Sequence, residues 1–426
     1  MSKILLYSHD NVGKTMAGPG IRYFEMAKAL SKDHQVVLLV PNDPDITYSE
    51  IKIEKISTFS KHIQNSDVLI SQLLHPKMVF FAKRYGVKII LDAYDPMPLE
   101  NLEVFKSHSK AIRHHKNNRI QSHFQFSFQM ADAILSGSPK QRDLWTGYLM
   151  NLGKINPKTY DEDNSLKHLI DIVPFGLPET PPKMQNGSIR SRFGIPKNAH
   201  IILWGGGIWN WFDPLTLIRA ISEMEREDVF LVFMGVKHPN PQVPEMQMAN
   251  EAVELAKKLN LFDRKVFFNF GWTTYEERQN FLLEATIGIS LHHEHLETQY
   301  SFRTRILDYL WAKLPIISTK GDYFADLISK ENLGIVIPQK DSDAVKKAIL
   351  ELIDNPEKQM QIKENISKII PQFHWNKVVQ PIHNMIDTFS KQSKSTLSFK
   401  DVARIIFFQC KKYSPMAIYG YACTKK

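Results

Sequence analysis

Apolar residues in the first half of the chain come in short runs between polar, glycine-containing loops. That pattern predicts strands buried on both faces. Ile4–Tyr7 and Val36–Val40 are two such runs. Asp67–Ser71 (DVLIS), Val87–Leu91 (VKIIL), Ala133–Ser136 (AILS) and Asp171–Phe175 (DIVPF) repeat the theme. Ile21, Phe24, Ala27 and Leu30 recur at i, i+3, which predicts a helix with one face on a sheet. A polar, His-rich stretch runs from Lys106 to Gln129, and Gly176-Leu177-Pro178 with Pro181-Pro182 marks a linker. The second half restarts the alternation. Strands are predicted at Ile201–Trp204, Phe230–Met234, Val266–Phe270, Ile287–Leu291, Ile316–Ser318 and Ile335–Ile337. Helices are predicted at Pro214–Glu223, Gln247–Leu259, Tyr275–Glu284, Phe302–Lys313 and Asp343–Ile353. Strands alternating with helices predict an α/β protein with a parallel sheet in each half. Two Rossmann-like parallel-sheet domains facing across a cleft are expected, with the ligand at the carboxyl-end loops.

A length of 426 residues agrees with two domains and a tail. Hydrophobic content of 43% against 23% charged excludes a disordered chain. No apolar run approaches the roughly eighteen residues of a membrane span, and the opening MSKILLYSHD predicts no signal peptide. Cys410 and Cys423 both lie near the C-terminus without a CxxC pair, so a reduced, cytoplasmic setting is expected. Net charge is +9, but Thr388–Lys426 carries eight Lys/Arg and one acid, leaving +2 for the rest. The body is therefore not expected to bind nucleic acid. In the tail, Phe399, Val402, Ile406, Cys410 and Tyr413 share one helical face, widened by Phe407 and Phe408. Lys400, Arg404 and Lys411 lie on another. Residues 399–413 read as a basic amphipathic helix that binds an anionic membrane surface or packs on the first domain; both remain open.

Several tempting motifs fail. Gly13-Lys14-Thr15 lacks the earlier glycine of a phosphate loop, since that position is Ser8. Gly18 and Gly20 are followed by Tyr23 where a dinucleotide fingerprint needs glycine. His292, His293, Glu294 and His295 read as a loop rim, not a metal site, because adjacent residues on a strand face opposite ways. No Gly-x-Ser-x-Gly elbow is present.

Three constellations remain. Gly18-Pro19-Gly20-Ile21-Arg22 stands between a strand and a helix start, where backbone N–H groups favour phosphate. Trp204-Gly205-Gly206-Gly207-Ile208-Trp209 ends the first strand of the second half, and three glycines in a row imply a close ligand approach. In Glu297–Pro315, Arg303 and Arg305 sit at a helix start that disfavours cations unless an anion shares the site. Asp308 follows Arg305 on the same helical face. A guanidinium beside a carboxylate suits a diphosphate next to ribose hydroxyls.

With Ser301–Pro315 and Ile316-Ile317-Ser318-Thr319, the sequence resembles the glycosyltransferases of family 4, which have the GT-B fold and use nucleotide-diphosphate sugars. Gly18–Glu25 (GPGIRYFE), Ala131–Leu144 (ADAILSGSPKQRDL) and Val173–Pro178 (VPFGLP) extend the resemblance over roughly residues 1–385. Asp308 stands where the family's Glu-x7-Glu motif has its second, ribose-binding glutamate; the first position is Tyr300 here, so Glu297 is assigned the sugar-facing role. Many relatives carry Arg and Lys in the loop equivalent to Gly205–Asn210. This chain has neither, so Arg303 and Arg305 are inferred to supply that charge, with Gly206 and Gly207 donating N–H groups. The resemblance implies retaining, metal-independent sugar transfer without a cofactor beyond the sugar nucleotide. It places Gly18, Gly20, Gly206, Gly207, Trp272, Glu297, Ser301 and Asp308 on the donor, with Trp272 stacking on the base. Arg303 and Arg305 stabilise the departing diphosphate, Asp95 orients the acceptor, and Asp92 and Arg22 line the acceptor side. It divides the chain into an acceptor-side domain 1–177, a donor domain 178–374, a crossing helix 375–389 and the tail 390–426. The expected setting is the cytoplasm, at the inner face of the cell membrane, with a lipid-linked or polysaccharide acceptor. Competing classes are a GT-B sugar-nucleotide epimerase or phosphorylase, and a nucleic-acid-binding protein.

Overall fold

A computed structural model describes residues 1–241, 243–392 and 397–412. The chain forms two compact units. One holds residues 1–13, 19–174 and the C-terminal stretch from Val378; the other holds 14–18 and 175–377.

The first unit is built on seven strands: β1 (Lys3–Tyr7), β2 (Gln35–Val40), β3 (Ile51–Lys55), β4 (Val68–Ser71), β5 (Lys88–Asp92), β6 (Ala133–Ser136) and β7 (Ile170–Ile172). Their order is β3-β2-β1-β4-β5-β6-β7, and every neighbouring pair is parallel. β4 and β6 are buried at every position, which is why they read as unbroken apolar runs. The hydrophobic pattern misses β3. Its sequence, IKIEK, puts charges on an edge strand, a common guard against further pairing.

The second unit has six strands: β8 (His200–Trp204), β9 (Val229–Phe233), β10 (Val266–Phe268), β11 (Ile287–Ser290), β12 (Ile316–Thr319) and β13 (Gly334–Ile337). Their order is β10-β9-β8-β11-β12-β13, again all parallel. Each sheet grows outward from its first strand on one side and resumes on the other. The switch points are therefore β1/β4 and β8/β11, where open α/β sheets collect ligands at their carboxyl ends. The chain joins the second unit at a tight knot: Leu177 N–H donates to the Phe373 carbonyl (2.7 Å) and Trp375 N–H to the Leu177 carbonyl (3.1 Å). A Cβ on Gly176 would lie 2.5 Å from the Trp375 ring.

Helix starts follow local chemistry. Asp213 caps Pro214–Ser222 by accepting from Thr216 N–H (3.0 Å), with Pro214 at the first position. The first helix spans Gly18–Ser31, three residues earlier than its apolar spacing predicts, because Pro19 is tolerated in a first turn. Lys110–Met130 is one helix of 21 residues, capped by Ser109, and its only buried residues are Phe124, Phe126, Ser127, Phe128 and Met130. The polar stretch hid this helix because its first two turns and more carry no core-facing stripe.

The helix Phe399–Lys412 opens with a reciprocal cap between Ser398 and Asp401. It packs on the first unit through Ile405 and Phe408, and Phe408 stacks on Phe126 at 4.5 Å. The packed face is thus not the Phe399–Ile406 face read from the sequence. The Cys410 side chain, Tyr413 and Cys423 lie outside the described residues. Among the described residues, no helix is long and apolar enough to cross a membrane.

Candidate functional site

The carboxyl ends of β8, β11 and β12 carry a dense polar cluster in the second unit. β8 runs into Gly205-Gly206-Gly207, and Gly206 has φ +72°, a conformation that favours glycine. Tyr309 fixes the start of this loop. Its hydroxyl accepts from Gly205 N–H (2.7 Å) and lies 3.0 and 2.8 Å from the Leu203 and Ile289 carbonyls, one of which takes its proton. Gly288 leaves room for the ring, since a Cβ there would lie 2.4 Å from it.

Two short helices follow β11: Leu296–Tyr300 and Thr304–Trp311. The turn between them folds Arg303 back onto Glu297 as a bidentate pair, at 2.8 and 2.7 Å. Both are buried, at 5% and 2% exposure. Arg303 Nε also lies 3.7 Å from Asp322 Oδ2, and His292 Nε2 lies 3.3 Å from the same oxygen. Burial would push Asp322 up, but His292 and Arg303 outweigh it and hold its pKa below the usual carboxylate value.

Arg305 differs. It is 8% exposed, donates from Nη2 to the Gly207 carbonyl (2.7 Å), and stacks 4.0 Å over Phe212 and 4.8 Å over Trp204. Its Nη1 is buried without a hydrogen bond, and among the described residues it has no carboxylate partner. Burial pushes its pKa down to about 10, with Arg303 adding to the effect and Tyr309 opposing it. Ser290 Oγ, both His292 ring nitrogens, Arg303 Nε and Asp322 Oδ2 are also buried without a hydrogen bond. Buried polar groups are usually hydrogen-bonded, so their concentration here makes this the candidate ligand site.

The expected site residues divide accordingly. Arg305 reaches the glycine loop that lacks its own cation. Arg303 does not carry free charge, because Glu297 neutralises it. Glu297 is correspondingly engaged by Arg303 through both carboxylate oxygens. Gly206 and Gly207 stand beside Arg305, and Ser301 is buried with its hydroxyl on the Thr298 carbonyl. Asp308 is partly exposed and paired with Arg278, whose Nε is 3.5 Å from Oδ1. Burial pushes the Asp308 pKa up and Arg278 opposes it. Trp272 borders a cavity of about 670 Å³ shared with Gly207, Trp209, His238, Met246 and Phe270. Its indole N–H donates to the carbonyl of Met16, in the segment 14–18 that groups with this unit.

Gly18, the last residue of the segment 14–18, and Gly20, in the first unit, fall inside the first turn of the helix Gly18–Ser31 rather than in a free loop. Arg22 and Asp92 form a buried bidentate pair (2.8 and 2.7 Å), with both side chains at 0% exposure. Arg22 also donates to the Val173 and Pro174 carbonyls and lies 4.3 Å over the Tyr94 ring. Their expected acceptor-side contact is therefore replaced by a structural pairing. Asp95 is half-buried just past β5, where its carbonyl accepts Met97 N–H.

Sequence reasoning missed His9, just past β1. Its Nε2 is 3.0 Å from both Ser71 Oγ and the Leu73 carbonyl. A carbonyl only accepts, so Nε2 holds the proton and Nδ1 keeps its lone pair. Burial lowers its pKa to about 4, against the Leu73 carbonyl, with His123 adding to the fall. The folded state therefore binds fewer protons than the unfolded state between pH 6.5 and about 4. Stability should fall as pH drops through that window, by up to about 1.4 kcal/mol per unit from this group, and His9→Gln should flatten the slope. Urea titrations at stepped pH check this; an unchanged slope in His9→Gln refutes it.

Comparison with known proteins fits this geometry. A family profile described as glycosyl transferases group 1 matches residues 186–369. The fold is that of several solved structures. Sucrose-phosphate synthase from Thermosynechococcus elongatus matches at TM-score 0.65 and 15% identity, covering 92% of this chain and 100% of that one. The Anabaena protein HepE, solved with UDP-glucose, matches at TM-score 0.64 and 14% identity over 92% and 100%. WaaG, a glycosyltransferase involved in lipopolysaccharide biosynthesis, matches at 0.59 and 13% over 91% and 100%. No curated protein sequence matches. The two parallel sheets give the chain the GT-B-like fold of these solved structures. More particularly, residues 186–369 are similar to the glycosyl transferases of group 1.

Proposed function

We propose that this enzyme transfers a sugar, with retention and without a metal, from a nucleotide-diphosphate sugar to a lipid-linked or polysaccharide acceptor of the cell surface. The observation that carries the reading is Arg305: a buried guanidinium with no counter-ion among the described residues, reaching the glycine loop. A diphosphate supplies the missing charge. As the sugar–oxygen bond breaks, negative charge grows on the leaving diphosphate, and a preset cation stabilises it most at that moment. Gly206 and Gly207 offer backbone N–H groups beside it, and Asp308 accepts from ribose hydroxyls. Trp272 and its cavity receive the base. Arg303 acts through Glu297 and Asp322 by holding the loop in shape, and Asp95 orients the acceptor. The enzyme works in the cytoplasm, against the inner face of the cell membrane.

Calorimetric titration with a panel of sugar nucleotides tests this. One of them should bind, and binding should weaken on Asp308→Asn; no binding by any nucleotide diphosphate overturns the reading. The structural likeness to a Listeria monocytogenes protein titled putative UDP-N-acetylglucosamine 2-epimerase (TM-score 0.54) supports a second reading, epimerisation of the donor. Proton NMR separates the two, because epimerisation changes the sugar nucleotide with no acceptor present.

A further inference from the structure

The first unit brings together two basic helices that are far apart in sequence. Lys110–Met130 contains Lys110, Arg113, Lys116 and Arg119 and no acid. Lys110 and Arg119 are exposed, and nothing before Phe124 is buried. The helix Phe399–Lys412 lies against its second half, where Phe408 stacks on Phe126 and leans on His123. Arg119, His123 and Phe126 follow at i, i+4 and i+7, so Arg119 continues the row on which the later helix rests.

That later helix has two apolar faces. Ile405 and Phe408 are turned inward. Phe399 and Ile406 are one heptad apart on the outer side, at 88% and 54% exposure. Lys400 and Arg404 flank them and are exposed. Among the described residues, Lys110, Arg113, Arg119, Lys400 and Arg404 form no ion pair. Large apolar side chains standing in water beside unneutralised cations fit the boundary of an anionic bilayer. Apolar groups enter the acyl edge there while cations meet headgroup phosphates. A protein partner would ask for fewer lysines at the centre of the contact.

We propose that these two helices form one docking face for an anionic lipid bilayer. The proposal rests on the reading of a membrane-borne acceptor, but it uses residues outside the donor site. Donor titration and membrane binding can therefore fail separately.

Co-sedimentation of the full chain with vesicles tests it. The protein should bind vesicles of phosphatidylcholine and phosphatidylglycerol and not phosphatidylcholine alone, and added salt should release it. Phe399→Ser with Ile406→Ser should cut binding about tenfold, and Lys110→Gln with Arg113→Gln and Arg119→Gln should cut it comparably, since each buried apolar group and each cation adds to the affinity. Sugar-nucleotide affinity and melting temperature should be unchanged in both variants, which separates lost docking from misfolding. Equal binding to neutral vesicles overturns the proposal. So does loss in only one of the two variants, which would leave no shared face. Concentration-dependent dimers that the Phe399 and Ile406 changes abolish would also overturn it, by assigning the outer face to a second copy.

Discussion

Arg305→Met should lower kcat roughly a hundred- to a thousandfold, the range for removing one preset donor to a developing oxyanion. The same change should raise the melting temperature. A buried guanidinium without a counter-ion costs free energy, and methionine of similar length removes that cost. The Gly207 carbonyl would not be stranded, because Trp204 Nε1 also lies within 3.4 Å of it. Steady-state rates alongside thermal melts check both halves. Loss of activity with a lower melting temperature would make Arg305 a structural residue; unchanged kcat would remove it from the mechanism. Arg303→Met should behave oppositely in the melt, since it strands Glu297 in the core.

The second large effect lies in the other unit. Asp92→Asn should cost about 3–5 kcal/mol of stability, because it leaves Arg22 charged and buried beside a neutral group. Burial alone would lower the Arg22 pKa, but Asp92 outweighs it and raises it, so the arginine stays charged. Urea unfolding measures the loss. Arg22→Met with Asp92→Leu should recover part of it, leaving the Val173 and Pro174 carbonyls without their donor. A ΔΔG below about 1 kcal/mol for Asp92→Asn would show that the pair is solvent-screened after all.

The strands were legible because both sheets are buried on both faces, which leaves a plain mark in composition: DVLIS, VKIIL, AILS and IIST stand out from their surroundings. β3 was not, since an edge strand with alternating charge looks like a loop. The helix at Thr304 and its arginines were also legible, because cations at a helix start contradict the dipole and need a reason. Their partners were not. Arg303 and Glu297 are six residues apart, too far for a helical pair, and meet only because the chain turns at Ser301 and Phe302. Arg278 and Asp308 come from separate helices. Arg22, in the first helix, and Asp92, at the end of β5, are 70 residues apart. A charged residue in a sequence shows that chemistry is available. Whether it is spent on a neighbour depends on packing that spacing does not encode.

The knot of Leu177, Phe373 and Trp375 gives the second unit the anatomy of an insert. Its main stretch, residues 175–377, enters and leaves at one hydrogen-bonded point, and Gly176 lets the two passes lie nearly in contact. A module whose ends already touch can be lifted out and grafted between the same two positions of another scaffold without stretching either junction. On the proposed donor role of this unit, exchanging the cassette together with segment 14–18, whose Met16 carbonyl takes the Trp272 N–H, should change which activated sugar is accepted.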